Sequence, residues 1–91
     1  MQRRIALCVK GQVQGVNFRH LIRLQCLAQG LSGWIRNEHD GRVCMEVEGE
    51  RLALQKLYDW IMTSPGHTKV EDCVLRWINP TFKDEPFLII P

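Results

Sequence analysis

Short stretches of alternating or continuous apolar residues occur along this sequence, and two longer stretches between them repeat with a helical period. Alternation places successive side chains on opposite faces of a strand. The short stretches predict strands over residues 4–10, 31–36, 43–48, 70–78 and 87–90. The apolar stripes predict helices over residues 20–29 and 50–63. The predicted order is therefore βαββαβ followed by an extra short C-terminal strand.

The predicted helices can cover only one face of the predicted sheet. In the first strand, Ile5, Leu7 and Val9 point to the same face and are expected to form the core beneath the helices. In the third strand, Glu46 and Glu48 point to the opposite face, which predicts that this face meets water. The pattern therefore predicts an α+β fold, a two-layer sandwich.

The loop between the first strand and the first helix reads GQVQGVNFR over residues 11–19. Gly15 can adopt a positive φ angle at little steric cost, and no proline removes an amide donor from this loop. Backbone amides that lead into a helix N-terminus can surround an anion, and the helix dipole adds to the attraction. Phosphate is therefore the first ligand to consider.

Arg19 lies at the predicted start of the first helix. A cation in the first turn opposes the helix dipole by roughly 0.3–1 kcal/mol. An oxyanion held between the guanidinium and the loop amides would convert this repulsion into an attraction from two sides. The alternative is an ordinary solvated arginine, and one glycine-rich loop alone would favour that alternative, because short glycine motifs are weak evidence.

A second segment makes the pattern more specific. Residues 9–19 read as an aliphatic residue, any residue, then G-x-V-Q-G-V-x-F-R, and residues 33–49 read GWIRNEHDGRVCMEVEG. Together these segments resemble the two signatures of the acylphosphatase family, in the correct order and spacing. The one departure is Ile35, where the family has a smaller apolar residue, and it concerns packing and not chemistry. Weaker similarities at Trp60, at Ser64 and Pro65, and at Val70 extend the resemblance over nearly the whole chain.

The resemblance implies a ferredoxin-like fold, with an antiparallel sheet covered by two helices on one face. It also implies hydrolysis of the carboxyl-phosphate bond of acyl phosphates, without a metal ion or a cofactor. Arg19 would bind the substrate phosphate and Asn37 would position the attacking water, although Asn37 taken alone is typical of a tight turn. The phosphate-binding loop is expected to comprise Gln14, Gly15, Val16, Asn17, Phe18 and Arg19.

Length and charge narrow the range of partners. A chain of 91 residues suits one domain, expected to span residues 1–91. The formal charge of +2 is too small to indicate nucleic-acid binding. No apolar run approaches the roughly 20 residues that cross a bilayer, and the N-terminus leads straight into a strand. We expect a cytoplasmic monomer that acts on a small acyl phosphate and is inhibited by its product, inorganic phosphate.

The four cysteines form no C-x-x-C pair, so reduced thiols are the default expectation. Cys26 and Cys73 lie in apolar patterns and are expected to pack as small hydrophobic residues. Cys8 and Cys44 are expected on the open face of the sheet, where a disulfide can form only if their strands are adjacent.

Two other functions stay open from the sequence. The same fold can serve as a nucleic-acid or protein-binding module, but the aromatic-rich strand signature of RNA-recognition domains is missing. The same motifs also occur in the acylphosphatase-like segment of hydrogenase-maturation carbamoyltransferases, which are much longer chains. The length of the present chain argues against that alternative.

Overall fold

A computed structural model describes residues 1–83 and 85–91 of the chain. The elements in chain order are β1 (Gln2–Gln12), α1 (Phe18–Ala28), β2 (Ser32–Asn37), β3 (Val43–Glu50), α2 (Arg51–Ile61), β4 (Lys69–Ile78) and β5 (Leu88–Ile89). The pattern of apolar residues predicted each of these elements and their order. The predicted ends differ from the observed ends by two residues or fewer, which is the uncertainty expected where helices and strands fray.

The strands form one sheet in the order β4-β1-β3-β2-β5. The four longer strands pair antiparallel, as predicted. The short strand β5 instead runs parallel to β2, pairing at Trp34 and Ile35, so the complete sheet is mixed. The antiparallel pairings of β4 with β1, β1 with β3 and β3 with β2 make β4 run opposite to β2. Because β5 runs opposite to β4, it lies parallel to β2.

The core lies between the sheet and the two helices. The predicted inward residues of β1 (Ile5, Leu7 and Val9) are fully buried, which confirms the assignment of the two faces. The helices bury Ile22 and Cys26 from α1, and Leu54, Leu57 and Ile61 from α2, against this layer. Neither helix of the described residues is long and apolar enough to cross a membrane.

The opposite face of the sheet is less open than predicted, because Glu48 is fully buried. The chain after β4 crosses this face, and the amides of Thr81 and Phe82 donate to the Glu48 carboxylate at 2.7 and 2.8 Å. The Arg4 guanidinium donates to the same carboxylate at 3.0 Å. The prediction that this part of the face meets water was wrong, because only the fold shows that a later segment covers it.

The cysteines separate into a bonded pair and two free thiols. Cys8 and Cys44 are directly opposed on β1 and β3, with Cα atoms 4.1 Å apart, and form a disulfide. The default expectation of reduced thiols was therefore wrong for this pair. Cys26 and Cys73 are free and buried, as predicted. Burial raises the pKa of Cys26 to about 12, and burial together with the charge of Asp72 raises the pKa of Cys73 to about 11.

Candidate active site

A cavity of about 610 Å³ opens where the loop after β1 meets the end of β2. Its lining residues are Val13, Gly15, Asn17, Phe18, Arg19, His20, Asn37 and Ile89. Arg19 and Asn37 come from segments that are far apart in the sequence, yet both line this one cavity. The fold therefore brings together the two residues that the sequence analysis singled out.

The loop between β1 and α1 has a backbone suited to an anion. Gly15 and Asn17 both have positive φ angles, of 74° and 62°. Asn17 is the N-terminal cap residue of α1, but its side chain makes no capping hydrogen bond. The first bond of the helix runs from the Leu21 amide to the Asn17 carbonyl at 3.2 Å. Since the first amides of a helix lack acceptors within the helix, they are available to an anion in the cavity.

Arg19 is the second residue of α1 and is half-buried. Its Nη1 donates to the Ile90 carbonyl at 3.2 Å, which anchors the guanidinium beside the cavity. None of the ion pairs among residues 1–83 and 85–91 includes Arg19, and α1 has no acidic residue in its first turn. The positive charge and the helix N-terminus therefore act in the same direction on an anion.

Asn37 is the last residue of β2, opposite Val43 on β3, and its side chain is exposed. The turn begins after it, where the Glu38 amide donates to the Arg42 carbonyl at 2.8 Å. The Asn37 side chain makes no hydrogen bond to any residue in the described part of the chain. Its amide is thus free to hold a water molecule or a substrate oxygen.

The six predicted loop residues do not all face the cavity. Gly15, Asn17, Phe18 and Arg19 line it. The other two residues of the loop, Gln14 and Val16, are absent from the lining. The Gln14 side chain bonds to the turn after β2, and the Val16 side chain packs against the core. Any contribution of these two residues to phosphate binding would come from their backbone amides.

Sequence reasoning missed several residues at the site. His20, to which the sequence motifs assign no role, is exposed and also lines the cavity. Ile89 lines the cavity from β5, and the carbonyl of the next residue, Ile90, holds Arg19. A short apolar run near the C-terminus carries no signal of such a role, because the role depends on where the segment lies in the fold.

The chemistry of the lining favours anion binding. Arginine, histidine, asparagine and backbone amides can all donate hydrogen bonds to phosphate oxygens. No group of three or more His, Cys, Asp or Glu residues that could hold a metal ion occurs among residues 1–83 and 85–91.

Comparison with known proteins assigns the family. A family model described as acylphosphatase matches residues 5–89. An acylphosphatase from Roseiflexus sp. (strain RS-1) is 46% identical over 82 residues, covering 90% of this chain and 88% of the relative. The crystal structure of an acylphosphatase from Bacillus subtilis is 30% identical, has a TM-score of 0.92 and is covered completely, as is this chain.

A more distant structural match is to a much longer protein. Full-length HypF, solved in a phosphate- and nucleotide-bound form, is 20% identical with a TM-score of 0.88, and the match covers only 12% of that protein. This similarity shows the shared fold alone. The family match, the close relatives and the ferredoxin-like α+β fold together show that the chain belongs to the acylphosphatase family, whose members hydrolyse acyl phosphates.

Proposed function

We propose that the amides of residues 14–19 and the Arg19 guanidinium hold the phosphate group of an acyl phosphate, while Asn37 positions the attacking water. One observation carries this proposal. Arg19, which has no carboxylate partner in the described residues, and Asn37, whose amide is free, line the same cavity at a helix N-terminus. This arrangement offers a binding group on one side and a polar group for water on the other.

The leaving group explains why so few catalytic groups suffice. When the carboxyl-phosphate bond breaks, the acyl part departs as a carboxylate, a weak base with a pKa of about 4. Such a group leaves without protonation by a general acid. Phosphoryl transfer then requires mainly a set of donors for the phosphate oxygens and a nucleophile in line with the departing oxygen.

The proton of the attacking water needs an acceptor. The Asn37 amide can orient the water but cannot act as a base at neutral pH. We assign the proton to an oxygen of the substrate phosphate. The water oxygen bonds to phosphorus, the bond from phosphorus to the acyl oxygen breaks, and the products are a carboxylate and inorganic phosphate. No step in this sequence requires a metal ion.

We also infer how the protein acts in the cell. Because Arg19 and Asn37 of the same chain line one cavity, we propose a monomer whose residues 1–91 form one functional domain. Inorganic phosphate fits the same donors as the substrate, so it is expected to act as a competitive inhibitor. The small net charge of +2 supports a small-molecule substrate over nucleic acid. We propose that the protein works in the cytoplasm.

Hydrolysis of benzoyl phosphate in metal-free buffer tests this mechanism. The rate is expected to stay unchanged when a chelator is added, and inorganic phosphate is expected to raise KM without lowering kcat. p-Nitrophenyl phosphate serves as the matched control substrate. Its leaving group is a stronger base, and the cavity offers no assigned general acid, so its turnover is expected to be far slower. A strict requirement for Mg²⁺ with benzoyl phosphate would contradict the proposed mechanism.

A further inference from the structure

The side chain of Gln14 connects the phosphate-binding loop to the turn that follows Asn37. Its Nε2 donates to the Glu38 carbonyl at 2.8 Å and to the Arg42 carbonyl at 2.9 Å. These carbonyls belong to the two ends of the turn between β2 and β3. One side-chain amide therefore joins two segments that are separated by more than twenty residues in the sequence.

The turn itself is closed by backbone bonds. The Glu38 amide donates to the Arg42 carbonyl at 2.8 Å, and the Gly41 amide donates to the Glu38 carbonyl at 3.2 Å. Each carbonyl oxygen has two lone pairs, so each can accept a second bond from Gln14. The two N–H groups of a primary amide match these two acceptors. A carboxylate or an apolar side chain of the same length could not make this pair of bonds.

No other hydrogen bond links residues 13–17 to residues 37–42 within the described parts of the chain, 1–83 and 85–91. The pairing of β1 with β3 ends at Val9 and Val43, before the loop begins. Beyond that point the Gln14 side chain is the direct link between residues 13–17 and 37–42 in the described parts of the chain. Arg19 is connected to β2 by a separate route, since the Ile90 amide donates to the Ile35 carbonyl at 2.8 Å. The bond of Gln14 to Glu38 acts on the residue directly after Asn37.

We propose that Gln14 is a positioning residue, which sets the placement of Asn37 relative to the phosphate held by the loop and Arg19. This inference rests on the proposed function. Gln14 does not line the cavity, so its side chain acts through Asn37 and not on the substrate. Loss of the two bonds would leave the phosphate donors in place, but the Asn37 side chain would no longer be held in a fixed position relative to them. Loss of these bonds should therefore lower kcat more than it lowers phosphate affinity.

The replacement Gln14→Met tests this inference, because methionine has a similar length and no N–H donor. We expect kcat for benzoyl phosphate to fall about tenfold to a hundredfold, the loss typical of a small misplacement, with KM and the inhibition constant of inorganic phosphate changed less than about twofold. Gln55→Met is the matched control. Gln55 donates to Asp59 on the exposed side of α2, away from the cavity, and its loss should leave the kinetic constants unchanged.

A double-mutant cycle with Asn37→Ala separates positioning from a general structural role. If Gln14 acts through Asn37, Gln14→Met should lower kcat less than about twofold in the Asn37→Ala background. Thermal unfolding of each variant accompanies the kinetics. Equal losses of kcat in both backgrounds would overturn the inference, as would a parent-like kcat for Gln14→Met. A fall in phosphate affinity as large as the fall in kcat, in a variant that remains folded, would also overturn it.

Two further measurements keep the outcome decisive. If Gln14→Met does not fold, Gln14→Asn is judged by the same criteria, because it keeps the amide but is one methylene too short to reach both carbonyls from the same backbone position. If Asn37→Ala alone keeps the parent kcat, the proposed role of Asn37 fails. The positioning inference then fails with it, but a result confined to Gln14 leaves the proposed function intact.

Discussion

Arg19 is the residue at which local stability and ligand binding conflict. Its charge lies in the first turn of α1, where it opposes the helix dipole by roughly 0.3–1 kcal/mol. Among residues 1–83 and 85–91, the Arg19 side chain makes one hydrogen bond, to a neutral group, the Ile90 carbonyl. A bound phosphate would supply the missing negative charge. A residue that is unfavourable for its helix but favourable for a ligand is typical of a functional site.

Replacement of Arg19 by alanine should abolish most phosphate binding. A hydrogen bond to a charged group contributes about 1.5–3 kcal/mol, so affinity for inorganic phosphate should fall roughly tenfold to more than a hundredfold. Turnover should fall with it. The free energy of unfolding without phosphate should rise slightly, because the clash with the helix dipole is removed. Calorimetric titration and chemical unfolding measure these two effects.

The matched control is Arg23→Ala, which removes a guanidinium one turn further along the same helix and outside the cavity lining. It should leave phosphate affinity unchanged. Normal phosphate binding by Arg19→Ala would show that the binding group is wrongly assigned.

Replacement of Asn37 by alanine should lower kcat without weakening phosphate binding. In Asn37→Ala the phosphate donors remain, but the attacking water loses the group that orients it. Loss of one such polar group costs about 2.7–4 kcal/mol of transition-state stabilisation, which is roughly a hundred- to a thousandfold in kcat. Phosphate affinity should change little. Steady-state kinetics with benzoyl phosphate, together with phosphate titration, measures the difference.

Asn37→Asp is the more demanding variant. Its carboxylate could accept a hydrogen bond from water, but it cannot donate one, and its charge would repel the phosphate. We expect Asn37→Asp to hydrolyse benzoyl phosphate slowly as well. Asn79→Ala, at an exposed position outside the cavity lining, is the control. Either Asn37 variant turning over benzoyl phosphate at the parent rate, while folded, would rule out the assigned role.

At the scale of elements, the segment between β4 and β5 connects the sheet to the active site. Thr81 and Phe82 are held to the sheet by the Glu48 carboxylate. The chain then buries Phe87 and forms β5 along the β2 edge. Its next residue, Ile90, accepts the bond from Arg19. The buried carboxylate therefore supports the segment that contributes one wall of the cavity.

Replacing Glu48 by glutamine should destabilise the fold. Within residues 1–83 and 85–91 every hydrogen-bond partner of the carboxylate is a donor, so the new NH₂ group would face donors. Arg4 would keep only the half-buried Glu46 carboxylate as a counter-charge. Removing one member of a buried charged pair typically lowers the free energy of unfolding by about 3–5 kcal/mol, and we expect a loss near the lower end because Arg4 keeps Glu46 as a partner. Urea unfolding measures this loss. Glu71→Gln, at an exposed position on β4, should change stability little.

The same carboxylate gives stability a definite pH dependence. Burial alone would raise the pKa of Glu48, but the amides of Thr81 and Phe82, with Arg4 and Gln2, lower its pKa from the ordinary 4.5 to about 2. Because the folded state favours the charged form, this stabilisation is complete above about pH 4.5 and is lost as pH falls toward 2. Glu48→Gln should flatten this part of the stability curve. If the free energy of unfolding of Glu48→Gln fell with decreasing pH as steeply as that of the parent, this pH dependence would not come from Glu48.

At the scale of the whole molecule, the disulfide joins two central strands of the sheet. Cys8 and Cys44 close a loop with a sequence separation of 36 residues. In the chain-entropy treatment such a crosslink stabilises the folded state by about 4 kcal/mol. Neither cysteine lines the cavity. Reduction should therefore lower Tm while leaving kcat and KM near their original values wherever the protein remains folded.

The control for this prediction is the double variant Cys8→Ala with Cys44→Ala. Its Tm should be below that of the oxidised parent, and a reductant should not change it further. A shift of Tm on reduction that persists in the double variant would show that the effect does not come from this disulfide.

The sequence by itself determined the elements of this protein and the chemistry of its motifs. Strand alternation, the apolar stripes of the helices and the loop before α1 are local properties, because each depends on residues close together in the chain. The two motifs also singled out Arg19 and Asn37. Their family resemblance, confirmed by the comparisons, indicated the fold and acyl phosphate hydrolysis.

Only the tertiary structure decided which distant residues meet. The strand order and register place Cys8 opposite Cys44, and the path of the chain after β4 buries Glu48. The bonds of Gln14 to the β2–β3 turn and the bond of Arg19 to Ile90 depend on the same arrangement. Periodicity shows which face a residue occupies, but not what covers that face. Strand pairing and chain crossing settle that, since they join residues that no local pattern relates.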